Sequence, residues 1–261
     1  MDTTWRDEPD RYDRMLCGFG RHAIASANLG DGDRVIDVGA GASTQPIELA
    51  KRVGAGGSVC VVEIDPELAG AGRRRCSSAG FPDVHYVVAD AATYEFRPTS
   101  ADAVVSRFAL MLADERVFAN LATAVRPGGR LAFTTWQGVD RNAWFTIPMR
   151  VVAEVVPELA GDLAAAPPFR LADRDRIVEL LHDEGWTDVR VEPLTQPVWL
   201  GRDVDDVVDF FQRRFEAMQS MVDDRTWSKL EITARERLAP YAQAEGVRVP
   251  AAAWLASATR P

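Results

Sequence analysis

Lysine is almost missing from this chain: Lys51 and Lys229 are the only two in 261 residues, and arginine supplies the rest of the positive charge. With abundant alanine, that bias suggests a high-GC bacterial genome and says nothing about mechanism. Basic character is short as well. A formal net charge of −9 argues against a nucleic-acid partner, because such binders display a basic face. The compact basic run Arg73-Arg74-Arg75 falls within an expected helix and reads as a solvated face. No run of eighteen apolar residues exists, so no membrane span is expected. The opening Met1-Asp2-Thr3-Thr4-Trp5-Arg6-Asp7-Glu8 is polar and acidic and lacks the apolar stretch of a signal peptide. Cysteine is scarce too. Cys17, Cys60 and Cys76 show no metal spacing and read as reduced thiols, which points to a cytoplasmic chain with no metal.

What is present centres on Arg34-Val35-Ile36-Asp37-Val38-Gly39-Ala40-Gly41-Ala42-Ser43-Thr44. The β-branched run suits a strand buried on both faces. Two glycines then break it, and Thr44 precedes an amphipathic segment, Pro46–Val53, that suits a helix. Strand, glycine turn and helix N-terminus form the first unit of a doubly wound α/β fold, whose crevice lies at the carboxyl end of the strand. A dinucleotide loop would need a third glycine at position 44, where Thr44 stands. Asp37 would repel a pyrophosphate and suits a ligand carrying an ammonium group. That contrast favours an amino-acid-bearing nucleoside over a nicotinamide dinucleotide, although the same turn also occurs with no ligand.

The chain continues in alternation. Residues 1–30 read as an N-terminal helical arm, with Tyr12, Leu16, Phe19 and Ala23 at helical spacing, serving either as a lid or as ordinary packing. A second strand, Ser58–Glu63, ends in a carboxylate about 22 residues after Gly41, a spacing that suits ribose hydroxyls. A helix from Pro66 to Arg75 leads to a third strand, Val84–Ala89, and then Asp90, placed to accept from an exocyclic amine. A fourth strand (Asp102–Ser106), a helix (Glu115–Val125), a turn at Arg126-Pro127-Gly128-Gly129-Arg130 and a fifth strand (Leu131–Trp136) follow.

These stretches resemble the class I S-adenosylmethionine-dependent methyltransferases, in particular the ubiquinone/menaquinone-type small-molecule enzymes. The matching segments are Val35 to Gly41, Val62-Glu63-Ile64-Asp65-Pro66, Val88-Ala89-Asp90-Ala91, Ser106-Arg107-Phe108 and Arg126 to Leu131, in family order over residues 30–136. Asn142-Ala143-Trp144 and Ala253-Trp254-Leu255 look like a bacterial subgroup. The resemblance implies a Rossmann-like α/β fold: a seven-stranded, mostly parallel sheet with an antiparallel last strand, helices on both faces and a helical cap built from insertions. It implies Asp37, Gly39, Ala40 and Gly41 around the methionine part of the cofactor, and Glu63 on the ribose. It further implies Ile64 against adenine, Asp90 with Ala91 at its amine, and Ser106 and Arg107 lining the same site. Ser43 departs from the pattern, since a third glycine is common there.

The organisation expected is an arm (1–30), a cofactor core (31–137), a cap insertion (138–172), further core (173–196), a second helical insertion (197–246) and a last core strand (247–261). A helix over Asp173–Glu184, a sixth strand over Thr187–Leu194 and a seventh over Ala251–Ala258 fit that scheme. Phe210, Phe211, Phe215, Met218 and Met221 are expected to crowd the apolar face of the second insertion, which suits an apolar acceptor or merely a cap core. Tyr12, Phe19, Trp136, Asn142, Trp144 and Phe145 are the candidate acceptor-pocket residues. No catalytic residue is assigned; His22 is a weak candidate base. The expected reaction is methyl transfer to a small molecule, plausibly a secondary metabolite, with S-adenosylhomocysteine as product and proximity as the main source of rate. Neither a membrane nor a nucleic acid is expected as partner, and a homodimer or higher homo-oligomer is left open. Two alternatives stand: a protein that uses S-adenosylmethionine non-reactively, for example in cyclisation, and a nicotinamide oxidoreductase.

Overall fold

The computed structural model describes residues 4–159 and 166–261. The start of the polar opening segment and residues 160–165 of the first cap insertion lie outside the described residues. The chain separates into two compact units: one comprises residues 1–15, 138–166 and 195–252, the other residues 16–137, 167–194 and 253–261.

The strands run in the order β3 (His85–Val88), β2 (Ser58–Glu63), β1 (Arg34–Val38), β4 (Ala101–Arg107), β5 (Val125–Trp136), β8 (Gly246–Thr259) and β6 (Thr187–Gly201), with a two-residue strand, β7 (Ala242–Gln243), pairing β8 off that path. β1, β2, β3, β4 and β5 pair in parallel. β8 runs antiparallel to β5. The seven-stranded, mostly parallel sheet is therefore as expected, with β7 as an addition. Strand order reverses between β1 and β4, where open α/β sheets form their crevice.

Several element ends differ from the sequence reading. β6 continues from Thr187 to Gly201, because Val198, Trp199 and Leu200 are buried and prolong it. Pro197 is tolerated because β6 closes the sheet and needs no partner on its outer side. β8 begins at Gly246, with Val247, Val249 and Ala251 all buried. The expected turn at 126–130 lies inside β5 as an irregularity: Ala101 pairs Val125 and Ala103 pairs Arg130, with Gly128 left-handed at φ 72°. Thr44 makes no side-chain cap on the helix Gln45–Val53; Ser43 Oγ instead accepts from the Gln45 N–H at 3.3 Å.

In the larger unit the parallel strands bury Val35, Val59, Val61, Ala103, Val105 and Ala132 against Leu49 and Val53 of the helix Gln45–Val53. At the amino end of the sheet, Asp102 accepts from the Arg34 backbone N–H (2.9 Å), Arg34 Nε (2.9 Å) and Arg126 Nε (2.5 Å). Burial alone would push this carboxyl up; the hydrogen bonds from Arg34 and then Arg126 outweigh it and hold the pKa far below the usual carboxylate range. Its contribution is thus present above about pH 4 and is lost as pH falls through the lowered value. Both arginines are partly exposed, so Asp102→Ala is expected to cost about 2 kcal/mol in urea unfolding at neutral pH. An undiminished unfolding midpoint would remove this role.

The smaller unit packs three helices, Ala143–Val155, Val204–Arg214 and Asp224–Leu238. Val151, Val152, Val208, Phe211, Leu230 and Ala234 are buried among them. Within this unit Arg11 pairs with Asp206 (3.0 Å) and lies 4.8 Å from the centre of the Phe210 ring. Met221 departs from expectation. It is 63% exposed, because the turn before Asp224 carries it away from the apolar face.

Candidate functional site

The turn after β1 is shaped by backbone conformations that glycine adopts freely: Gly39 has φ 69° and Gly41 φ 59°. A Cβ on Gly39 would stand 2.2 Å from Cβ of Ala109, so this turn also needs the missing side chain for space. Ser43, buried at the end of the loop, supplies the cap described above. The departure from a third glycine therefore keeps the loop shape and fastens it to the helix.

Asp37 is fully buried at the carboxyl end of β1. Its Oδ1 accepts from Gln45 Nε2 at 2.8 Å, while Oδ2 is buried with no hydrogen-bond partner. Burial raises its pKa to about 7; the Gln45 hydrogen bond and the positive charge of Arg107 pull it down, and Glu63 pushes it up. A buried carboxylate oxygen without a donor is costly. It fits a ligand that brings its own cationic donor.

Glu63 is buried at the end of β2, and burial pushes its pKa up against hydrogen bonds from the Asp65 and Gly41 N–H groups. Oε1 accepts from Asp65 and Oε2 from Gly41, each at 2.9 Å. The carboxylate therefore joins the glycine turn to the start of the helix Pro66–Ser78. Asp65 caps that helix by accepting from Glu67 and Leu68. A carboxylate offers about four acceptor positions, and with the Ile64 N–H also acting on Glu63 one is left for a further donor. Ile64 follows with its side chain 66% exposed, available as an apolar face. Asp90 is exposed after β3 and accepts from the Ala92 N–H at 2.9 Å; Ala91 beside it is buried. Asn120, which sequence reasoning missed, holds this turn by donating to the Ala91 and Tyr94 carbonyls, both at 2.8 Å.

Ser106 Oγ donates to the Val38 carbonyl at 2.9 Å, tying the ends of β4 and β1 together. Arg107, at the end of β4, is half-buried. In the same unit Phe108 stacks on Trp136 with ring centres 3.8 Å apart, and Phe19 meets both edge-on. Of the candidate pocket residues, Phe19 and Trp136 thus lie together. The other four belong to the smaller unit. There Tyr12 packs edge-on to Phe210, Trp144 edge-on to Phe145, and Trp144 Nε1 donates to Asn142 Oδ1 at 3.2 Å. Asn142 also pairs with both the N–H and the carbonyl of Ala252, each at 3.1 Å, which is a framework role. His22 is exposed on the helix Pro9–Ser26. Among the described residues there is no group of three or more metal-ligating side chains, and no helix is long and apolar enough to cross a membrane.

Residues 35–129 match the family model of a methyltransferase domain. The chain is 29% identical over 187 residues to demethylmenaquinone methyltransferase from Mycobacterium sp. (strain KMS), covering 67% of this chain and 76% of that protein. It is also 29% identical over 130 residues to aklanonic acid methyltransferase DauC from Streptomyces sp. (strain C5), covering 48% of this chain and 59% of that protein. Among solved structures, phosphoethanolamine N-methyltransferase 2 of Haemonchus contortus, in complex with phosphomonomethylethanolamine and S-adenosylhomocysteine, shares the fold. Its TM-score is 0.58 at 18% identity, covering 94% of this chain and 54% of that chain. Sequence match, strand order and glycine turn agree: residues 35–129 match a methyltransferase domain, and the chain is similar to methyltransferases in sequence and in fold.

Proposed function

We propose that this protein transfers the methyl group of S-adenosylmethionine to a small apolar acceptor, releasing S-adenosylhomocysteine. The observation that carries the cofactor part is the buried Asp37 Oδ2, an acceptor that no described residue supplies with a donor. In this reading Asp37 and the turn through Gly39, Ala40 and Gly41 hold the methionine end, with Arg107 lending positive charge beside Ser106. Glu63 takes the ribose hydroxyls, Ile64 packs on adenine, and Asp90 with Ala91 receives its amine. Once bound, the sulfonium makes its methyl electrophilic. The chain's own contribution is to fix that methyl against the acceptor at attack distance and to keep water out, with no covalent enzyme intermediate. Phe19, Phe108 and Trp136 are suited to the exclusion of water, being buried and mutually packed. The exposed His22 gives little support to a histidine base.

An apolar acceptor is supported by the cap's own chemistry. The smaller unit carries a shallow apolar groove, about 40 Å³ in volume, lined by Val151, Val152, Phe211, Met218 and Trp227 among others, and it is this lining, not its size, that suits an apolar group. Placement in bacterial secondary metabolism rests on the likeness to aklanonic acid methyltransferase. The arm, the two cap insertions, a cytoplasmic location and a homo-oligomer complete the reading.

Two measurements test it. Calorimetric titration should show one site per chain for S-adenosylhomocysteine and none for NAD(P). Incubation with methyl-labelled cofactor and a panel of apolar small molecules should move label into an organic-extractable product. NAD(P) binding without S-adenosylhomocysteine binding would overturn the assignment. Cofactor binding with label transferred to no acceptor, across a panel containing the cognate one, would favour a non-reactive use.

A further inference from the structure

Gln45 is 3% exposed and stands at the first position of the helix Gln45–Val53, eight residues beyond Asp37. Its two amide atoms are in opposite situations. Nε2 donates to Asp37 Oδ1 at 2.8 Å, whereas Oε1 is buried and has no donor. Asp37 Oδ2 is the same kind of atom: buried and unmatched. One hydrogen-bonded pair of side chains therefore presents two acceptors and no donor for either. Either oxygen alone would be a defect; paired on bonded neighbours, they match a group with several N–H donors and a positive charge.

The geometry points to Gln45 as a specificity-determining residue that reads the α-ammonium of the cofactor together with Asp37. Two jobs fall to one amide: Nε2 fixes the carboxylate's orientation, and Oε1 supplies a second acceptor that a carboxylate alone cannot place. Gly20 serves the same arrangement from the helix Pro9–Ser26. A Cβ there would lie 2.5 Å from Gln45 Oε1 and 3.0 Å from Arg107 Cδ, so the absent side chain lets the amide hold this position. This inference rests on the cofactor reading above and adds to it a residue and a chemical group.

The test compares three ligands by titration calorimetry on the full chain: S-adenosylhomocysteine, its analogue with the α-ammonium replaced by hydrogen, and 5′-methylthioadenosine, which lacks the amino-acid part. Gln45→Met keeps the length of the side chain and removes both polar atoms. It is expected to weaken S-adenosylhomocysteine roughly tenfold or more, while leaving 5′-methylthioadenosine within about twofold. The preference of the wild type for S-adenosylhomocysteine over the deaminated analogue should shrink by the same factor. Gly20→Ala, which displaces the amide without altering its chemistry, should reproduce the pattern, and it provides the test if Gln45→Met does not fold. Equal affinity of Gln45→Met and wild type for S-adenosylhomocysteine would refute the role of Gln45. So would parallel losses for 5′-methylthioadenosine, which would mean that the whole loop had been disturbed. A wild type that binds 5′-methylthioadenosine but not S-adenosylhomocysteine would refute it as well, whereas a wild type that binds neither would bring down the cofactor reading itself.

Discussion

Asp37→Asn is expected to stabilise the protein and to abolish cofactor binding in the same step. The folded pKa of Asp37 stands at about 7 against an ordinary value of 3.8, chiefly because burial disfavours the charged form. Since the folded value is the raised one, the folded state holds a proton that the unfolded state has released between about pH 4 and pH 7. Stability therefore falls with rising pH across that window and levels above it. The whole interval corresponds to roughly 4 kcal/mol, and an asparagine, which never ionises, should recover about 2 to 4 of it at pH 8. Urea unfolding at pH 5 and pH 8 checks the sign: the gain should be large at pH 8 and small at pH 5. In the same variant the affinity for S-adenosylhomocysteine should fall by about two orders of magnitude, because a neutral amide replaces the partner of an ammonium. The wild type should bind more tightly as pH rises through about 7 and should release a proton on binding below that value. Besides burial, Gln45, Arg107 and Glu63 act on this carboxyl and set where the transition falls. An Asp37→Asn protein that is less stable than wild type at pH 8 would show that burial does not dominate here.

Glu63→Ala should do the reverse, costing both stability and binding. It strips the acceptor from two buried backbone N–H groups, those of Gly41 and Asp65. Leaving such groups unmatched costs about 1 to 3 kcal/mol each, so a total near 3 kcal/mol is expected, a melting point lower by roughly 10 °C. The ligand pattern separates this effect from that of Gln45. Losing the ribose partner should weaken 5′-methylthioadenosine and S-adenosylhomocysteine alike, by roughly a hundredfold. Glu63→Gln keeps one acceptor oxygen and should fall between. If Glu63→Ala melted as wild type does, the carboxylate would not be what joins the glycine turn to the next helix.

The order β1 to β5, the glycine turn and the carboxylates ending β1 and β2 were legible because each depends on short-range features: β-branched runs, glycine breaks, and acidic residues where a strand stops. What escaped depends on groups that meet only after folding. Gln45 is eight positions from Asp37, and nothing in its neighbours says that the first turn of a helix leans back over the strand before it. Asn120 closes a turn 29 residues upstream by the same kind of return. Ser43 rather than Thr44 supplies the capping oxygen because the backbone at Thr44 is already helical, with φ −83° and ψ −6°. The extra length of β6 was hidden by Pro197, which halts a central strand but not an outer one. Spacing alone puts Met221 on an apolar face, and the break between helices undoes that spacing.

The Ser106 hydroxyl, bonded to the Val38 carbonyl, has a thermodynamic consequence. It sits where the strand order reverses, so the two strands that floor the crevice are joined by a side chain as well as by their ladder. A floor fastened in this way is preorganised and loses little configurational entropy when a ligand arrives. The ordering that accompanies association should then be concentrated above it, around Phe19 and Gly20. Backbone order parameters measured with and without S-adenosylhomocysteine should change there and stay level along β1 and β4.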